Sequence, residues 1–504
     1  MDIFGELVNT DRALVLNYFR ALFRLLSHSY WCRVWVIQEL AMVNGPAAVL
    51  FGHHSLDLHD IRMAVNAVCG RHTSWLVELP ELFEEVTPLT HLVLLSSLDR
   101  LKMFALLSVR REKLTFIELN ISLLSLSAGA LCTDPLDNIY GILGLMPAKL
   151  SSKVRVDYTM SPHDLHISFA RALIETTDDV DAVFFDRLDS KTTPSWIIDW
   201  AHRCDRSNAF QEFSLDIDEV IEPNIQRRKL YQSFHIGSGT RADAGQKPQF
   251  SFSDNSKLLH CRGIRIGTVD GFSTGFSIDD GEKYGLDERY WRTKQPTTDL
   301  NPYGDREVII LALLRTLHMN PLIQSADQVT LFHIPWLHEG DEDIESLDLR
   351  IAQSSSRYID IMKNAGWQPS VISIIAYIEF VRCRMASLCI GGRAFKDYFP
   401  TEITPCQVDA EAQYDINLFF SNAISRRLAV LSTGHFALVP ITIEPEDVVF
   451  VISGCSMPVA LRPCAAAKDT FTVVGECYVE GFMTGEAMTA VNTGESTLES
   501  ITLC

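Results

Sequence analysis

The sequence predicts an α+β chain with helices first, a mixed middle and a small antiparallel β module last. Three observations carry this. The first 150 residues show helical hydrophobic spacing between clear stops, the stretch from 205 to 300 is polar and strand-like, and the last hundred residues read as short strands in series. The expected divisions are residues 1–150, 151–305, 306–420 and 421–504.

In the first division, "ALVLNYFRALFRLL" follows Asp11, a helix-starting residue, and "SYWCRVWVIQELAMV" (29–43) runs to a stop at Asn44-Gly45-Pro46. That second run is nearly all apolar yet keeps Glu39. Wound as one helix, it places Glu39 on a face with Cys32, Trp35, Val36 and Val43, so the carboxylate is expected to be buried. A charge so placed needs a partner or a function, and Arg33 or a downstream amide is the expected partner. "AAVLF" reads as a short buried strand closed by Gly52, and "SLDLHDIRMAVNAV" as a helix capped by Ser55 or Asp57. His53, His54 and His59 beside Asp57 and Asp60 fit loop and helix-start polarity better than a metal site. "LCTDPLDNIYGILGLMP" (131–147) reads as a helix capped by Thr133 or Asp134, with Pro135 in its first turn. Leu136, Ile139, Tyr140 and Leu143 form its buried face.

Further along, a turn at Ser161-Pro162 opens an amphipathic helix, and "TPSWIIDW" sets Trp196 and Trp200 around Asp199 as a buried structural clasp. Gly237-Ser238-Gly239 mimics a dinucleotide-binding loop, but no helix signal follows it, so it reads as a turn. Residues 306–395 return to helical patterns broken by the solvated acidic loop "HEGDEDIES". In the tail, "RRLAVLS", "FALVPI", "DVVFVIS", "PVALRP" and "FTVVGECYV" alternate with turn residues, which suggests a bent sheet or barrel.

Composition bounds the function. A net charge of −20 argues against a nucleic-acid backbone as the main partner. Twelve cysteines without a CxxC point to a reducing, cytoplasmic setting and to no zinc site. The opening "MDIFGELVNT" lacks signal-peptide character, and "SVISIIAYIEFV" carries Glu379 and runs into arginines, so no membrane span is expected. GxSxG, P-loop and HExxH patterns are missing, and no cofactor is expected.

Taken in order, these stretches resemble the fungal heterokaryon-incompatibility (HET) domain family of nonself recognition and programmed cell death. Arg33, Val34, Trp35, Val36, Ile37, Gln38 and Glu39 match its "RVWVIQE" helix. Asp134, Pro135, Asp137, Tyr140, Leu143, Gly144 and Leu145 match a "DPRDKVYALLGL"-like element, with Leu136 and Asn138 where charges are usual. Pro194, Ser195, Trp196, Asp199 and Trp200 match "PSWVPDW". Asp447, Arg462, Glu476 and the glycines near them match a C-terminal pattern, in which Arg462 and Glu476 read as fold residues at strand ends.

The resemblance implies that residues 1–150 are the C-terminal part of a HET-like, TIR-like α/β domain. The strands "LSYVWG" and "WIDAxCINQ" that begin the family's domain are absent, so a truncated member or an incomplete gene model is expected. The function implied is incompatibility signalling through protein–protein contacts, with other HET-domain proteins among the partners. One alternative is TIR-like NAD cleavage with Glu39 as catalytic residue; another is a degenerate scaffold or inhibitor of full-length relatives. The non-enzymatic reading is preferred.

Overall fold

A computed structural model of the chain describes residues 12–26, 28–43, 46–69, 123, 127, 130–177, 179–181, 194–197, 241–254, 256–275, 292–325, 385–398, 426–465 and 467–504. Those up to Ala172 belong to one compact unit and those from Leu173 onward to a second, the boundary falling inside one helix. Asp199, Trp200, the glycine loop at 237–239, the acidic loop and the stretch holding Glu379 lie outside the described residues.

The first unit holds α1 (Arg12–Leu26), a 3-10 turn (Ser29–Cys32), α2 (Val34–Ala41), a hairpin of β1 (Ala48–Phe51) and β2 (His54–Asp57), α3 (Leu58–Cys69), α4 (Asp137–Leu143) and α5 (Ala148–Ser151). The α1 and α3 runs fall where helical spacing placed them. The run from Ser29 does not form one helix: its first four residues make a 3-10 turn, and Arg33 is extended at φ −80°, ψ 138° before α2 begins. Cys32 therefore drops out of phase with Glu39, and only Val34, Val36, Ile37 and Leu40 turn inward.

β1 also departs from expectation. It is a hairpin strand with an exposed face, Leu50 being 77% exposed, and Gly52 at φ +61° makes the turn. α4 is buried all round from Asn138 to Leu143, rather than on a single face. The Asp134 carboxylate accepts the Leu136 N–H at 3.0 Å, closing the turn that leads into the helix through Pro135.

α6 (Pro162–Thr177) opens on Ser161, whose hydroxyl accepts the Asp164 N–H at 3.1 Å and donates to the Asp164 carboxylate at 2.7 Å. α7 (Arg306–His318), in the second unit, is capped by Asp305, which accepts the Val308 N–H at 3.1 Å.

The second unit is built on β strands. They are β3 (Phe250–Phe252), β4 (Leu259–Phe272), the short pair β5 (Cys389–Ile390) and β6 (Arg393–Ala394), β7 (Arg426–Leu431), β8 (Phe436–Pro440), β9 (Val448–Ile452), β10 (Val459–Pro463), β11 (Thr470–Glu476), β12 (Tyr478–Val479) and β13 (Glu499–Leu503), with α8 (Glu486–Thr493) before the last. Among the described residues the sheet order is β12-β8-β7-β4-β13-β11-β10-β9, and β4 pairs again with β9. That second pairing closes a ring of β4, β13, β11, β10 and β9, a small barrel, while β7, β8 and β12 extend from the far half of β4.

β4 can serve both sides because it is 14 residues long and its register shifts at Arg265/Gly267 and Val269/Gly271, where bulges bend the strand. Gly263 sits where β4 is paired with β13 and β9 at once. A Cβ there would lie 2.8 Å from Ile501 and 2.9 Å from the Val451 carbonyl, so the seam closes only around glycine.

The module is therefore larger than residues 421–504, since β4 is drawn in from the middle of the sequence. It is also not wholly antiparallel, because β11 and β13 run parallel. The fold is mixed α+β with a β-rich C-terminal region. Its core is filled by Ile264, Val269, Leu431, Val449, Val451 and Ala460, all buried, and every residue of β9 is buried, as suits a strand with neighbours on both sides.

Candidate functional site

The two helix segments singled out in the sequence, 33–39 and 134–144, meet in the first unit. Val34 N–H donates to the Leu131 carbonyl at 3.0 Å, which lays the start of α2 beside the segment leading to α4. α2 and α4 then pack closely. A Cβ at Gly141 would stand 2.9 Å from Val34 Cγ2, and one at Gly144 3.3 Å from Gln38 Nε2. Trp35 Nε1 donates to Asp137 Oδ2 at 3.1 Å, while Tyr158 donates to the other Asp137 oxygen at 2.9 Å. Burial and the Asp137 carboxylate push the Tyr158 phenol up to about 12. Tyr140 is buried and its hydroxyl accepts the Asp157 N–H at 3.0 Å. The structure thus brings Trp35, Gln38, Asp137 and Tyr140 into one interface. Arg33 is exposed and joins this interface through its backbone, which bridges Leu131.

Glu39 requires a correction. It is exposed, not buried, and its recorded partner is neither Arg33 nor an amide: the Tyr30 hydroxyl donates to Glu39 Oε2 at 2.8 Å. The break in the helix at Arg33 causes both differences, because it turns Tyr30 in the preceding 3-10 turn toward the carboxylate. Burial, with Glu39's hydrogen bond and charge added, pushes the Tyr30 phenol up to about 12, so it stays a donor at neutral pH.

Glu39 and Tyr30 line a cleft of about 590 Å³ between the end of α1, α2 and the β1–β2 hairpin. Trp31, 2% exposed and bonded through Nε1 to the Leu25 carbonyl at 2.7 Å, fixes its floor. His28 stands at its edge and accepts the Tyr30 N–H on Nδ1 at 3.1 Å. The cleft lies in the usual size range of small-molecule pockets, and it offers a carboxylate, a phenol and an imidazole. Among the described residues, no three His, Cys, Asp or Glu side chains gather as a metal site. Asp57 instead accepts the His59 N–H at 2.8 Å at the start of α3. Among the described residues, no helix is long and apolar enough to cross a membrane.

In the second unit the matched polar residues sit in the barrel wall. Arg462 Nε and Nη2 donate to the two oxygens of Asp447 at 2.9 Å each, and Nη2 also donates to the Thr442 carbonyl at 2.9 Å. Glu476 pairs instead with Arg426, Nη2 to Oε1 at 2.6 Å. Trp196 is fully buried, donates to the Lys257 carbonyl at 3.1 Å and packs against Phe252. Next to it, the Ser195 hydroxyl accepts the Val473 N–H at 2.9 Å.

Residues 398–495 match the family model of the Het-6 beta-barrel domain. This stretch of the chain is similar to that domain. Comparisons with curated proteins and with solved structures return no match. Within the matched stretch lie β7 to β12 and α8, whereas β4 and β13, which complete the ring, fall outside it.

Sequence reasoning missed Tyr30, Tyr158 and Arg426. Tyr30 is nine residues from Glu39, a spacing that no single helix face would join. Arg426 stood in view beside Arg427, but its pairing with Glu476 depends on a register that local patterns do not carry.

Proposed function

We propose that this chain works in heterokaryon-incompatibility-type nonself recognition, as a fungal cytoplasmic signalling protein that acts through contacts with other proteins, HET-related ones among them. The observation that carries this reading is the match of residues 398–495 to the Het-6 beta-barrel domain. Exposed apolar side chains at the end of α2 and on the hairpin add support, since Met42 is 57%, Leu50 77% and Phe51 40% exposed. The test is expression of the chain in a fungal host, scoring growth arrest or cell death, with co-precipitation of co-expressed HET-related proteins. Normal growth together with no captured HET-related partner, at verified expression, would refute the reading.

The cleft favours a second reading, NAD cleavage. Its support is the exposed Glu39 carboxylate, held by Tyr30 at 2.8 Å in a cleft of about 590 Å³. In that reading Glu39 acts on the ribose beside the nicotinamide, and the Tyr30 phenol orients it. Purified chain incubated with NAD decides between the two. Turnover that disappears in Glu39→Gln, with melting temperature unchanged, would make the enzyme reading the primary one.

A further inference from the structure

Among the described cysteines, which include the half-buried Cys32 and Cys132 and the exposed Cys389, Cys464 and Cys504 are set apart by the approach of their sulfurs. Cys261, Cys455 and Cys477 are buried in the second unit, whereas Cys464 and Cys504 are half-buried and their Sγ atoms stand 3.1 Å apart. The two thiols lie 40 residues apart in sequence, and the barrel's strand ladder brings them together. Cys464 follows β10, and its N–H donates to the Thr470 carbonyl at 2.9 Å. Cys504 follows β13, and its N–H donates to the Phe471 carbonyl at 3.0 Å. Both backbones are thus pinned to β11 from opposite sides, because Pro463 of β10 and Leu503 of β13 both pair with Phe471. The side chains arch over the start of β11 and meet. Closing a disulfide from there asks for about 1 Å of approach between the sulfurs.

We propose that Cys464 and Cys504 are a redox modification site, closing reversibly into a disulfide that staples β10 to β13 across β11. The oxidant class is a small-molecule disulfide such as glutathione disulfide. One protein thiolate attacks a sulfur of glutathione disulfide, forming a mixed disulfide and releasing one glutathione. The second protein thiol then gives up its proton, and its sulfur displaces the remaining glutathione. The protein loses two protons and two electrons, and glutathione disulfide is reduced to two glutathiones. Burial, and the hydrogen bond with Cys464, push the Cys504 thiol up to about 11, so closure accelerates with rising pH. Both residues are half-buried, which leaves a path for the oxidant that the buried cysteines lack. This inference is independent of the signalling and NAD readings, because it rests on the barrel's rim alone.

The test starts from the fully reduced, full-length chain incubated with glutathione disulfide, alkylated, and digested without reductant for mass spectrometry. The expected result is one dominant linked peptide pair, Cys464 with Cys504, reversed by dithiothreitol. Thermal unfolding of the oxidised chain should shift upward by about 5 °C or more, since a loop of some 40 residues is closed. Cys464→Ser and Cys504→Ser should each lose both the link and the shift, and each should carry a glutathione adduct on the remaining cysteine. Linkage through other cysteines, or Cys464 and Cys504 recovered unlinked after oxidation, overturns the proposal. The linkage map of the wild-type chain decides this whether or not the variants fold.

Discussion

Arg462→Met removes the guanidinium from the barrel wall while keeping most of the apolar stem. In the wild type, Asp447 is 1% exposed and both its carboxylate oxygens are held by Arg462 at 2.9 Å. What remains in the variant is the Glu444 N–H bond to Oδ2 at 2.7 Å. A buried carboxylate losing its cation costs about 3–5 kcal/mol, but the Arg462 side chain is 35% exposed and water can enter behind it. The expected loss is therefore about 2–3 kcal/mol at pH 7. Asp447→Asn should cost less, roughly 1 kcal/mol, because the half-exposed arginine keeps the Thr442 carbonyl and solvent.

The pH dependence gives a second check. Burial already raises the Asp447 carboxyl above its ordinary value, against the pull of Arg462. Without Arg462 it rises further, so the folded variant binds a proton that the unfolded chain does not, between the two pKa values. Stability of the variant then falls as pH rises through that window, and its deficit against wild type is largest at pH 7 and smaller at pH 5. Urea unfolding at both pH values measures this. A variant within about 0.5 kcal/mol of wild type at pH 7, or a deficit equal at both pH values, would show that the pair does not hold the barrel as argued.

His318 supplies an acid-sensitive contribution: it is 3% exposed, bonds through Nδ1 to the Leu314 carbonyl, and burial lowers its pKa from 6.5 to about 4. Its folded pKa is depressed, so its share of stability is full above pH 6.5 and is lost as pH falls toward 4, about 3 kcal/mol in all. His318→Leu should flatten that part of the stability–pH curve, and an unchanged curve would refute the assignment. In the first unit, Gly141→Ala should destabilise by about 1–3 kcal/mol, because its Cβ meets Val34 Cγ2 at 2.9 Å. Adding Val34→Ala should return part of the loss, and strictly additive losses in urea unfolding would refute the contact.

Strands with a clear local signal were legible in the sequence. "DVVFVIS", "PVALRP" and "FTVVGECYV" became β9, β10 and β11, because short apolar runs bounded by turn residues can do little else in a soluble core. What stayed hidden was partnership. β4 reaches β9 and β7 across a sequence gap of more than 150 residues, and nothing local in "KLLHCRGIRIGTVDGF" states that it closes a ring. The Glu39 expectation failed for a different reason. Projecting residues 29–43 onto one wheel assumes a single helical phase, and one extended residue, Arg33, resets that phase. The exposed β1 misled in the same way, since apolar composition alone cannot tell a core strand from a hairpin face.

The ring's wiring has a consequence for any attempt to isolate the matched stretch. Residues 398–495 hold β7 to β12, yet β9 pairs with β4 at five positions, β7 pairs with β4, and β11 pairs with β13. Cutting out that stretch leaves those three strands each with an open edge, and β9, apolar on both faces, exposes the most adhesive of them. Gly263 compounds the loss, because it is where β4 is paired with β13 and β9 at once. A fragment of residues 398–495 is expected to aggregate or remain molten when expressed alone. Extending it to include β4 and β13 should restore a cooperative transition. Sedimentation and thermal unfolding of the two fragments measure this, and a monomeric 398–495 fragment with a sharp transition would show that the barrel folds without the strand that closes it.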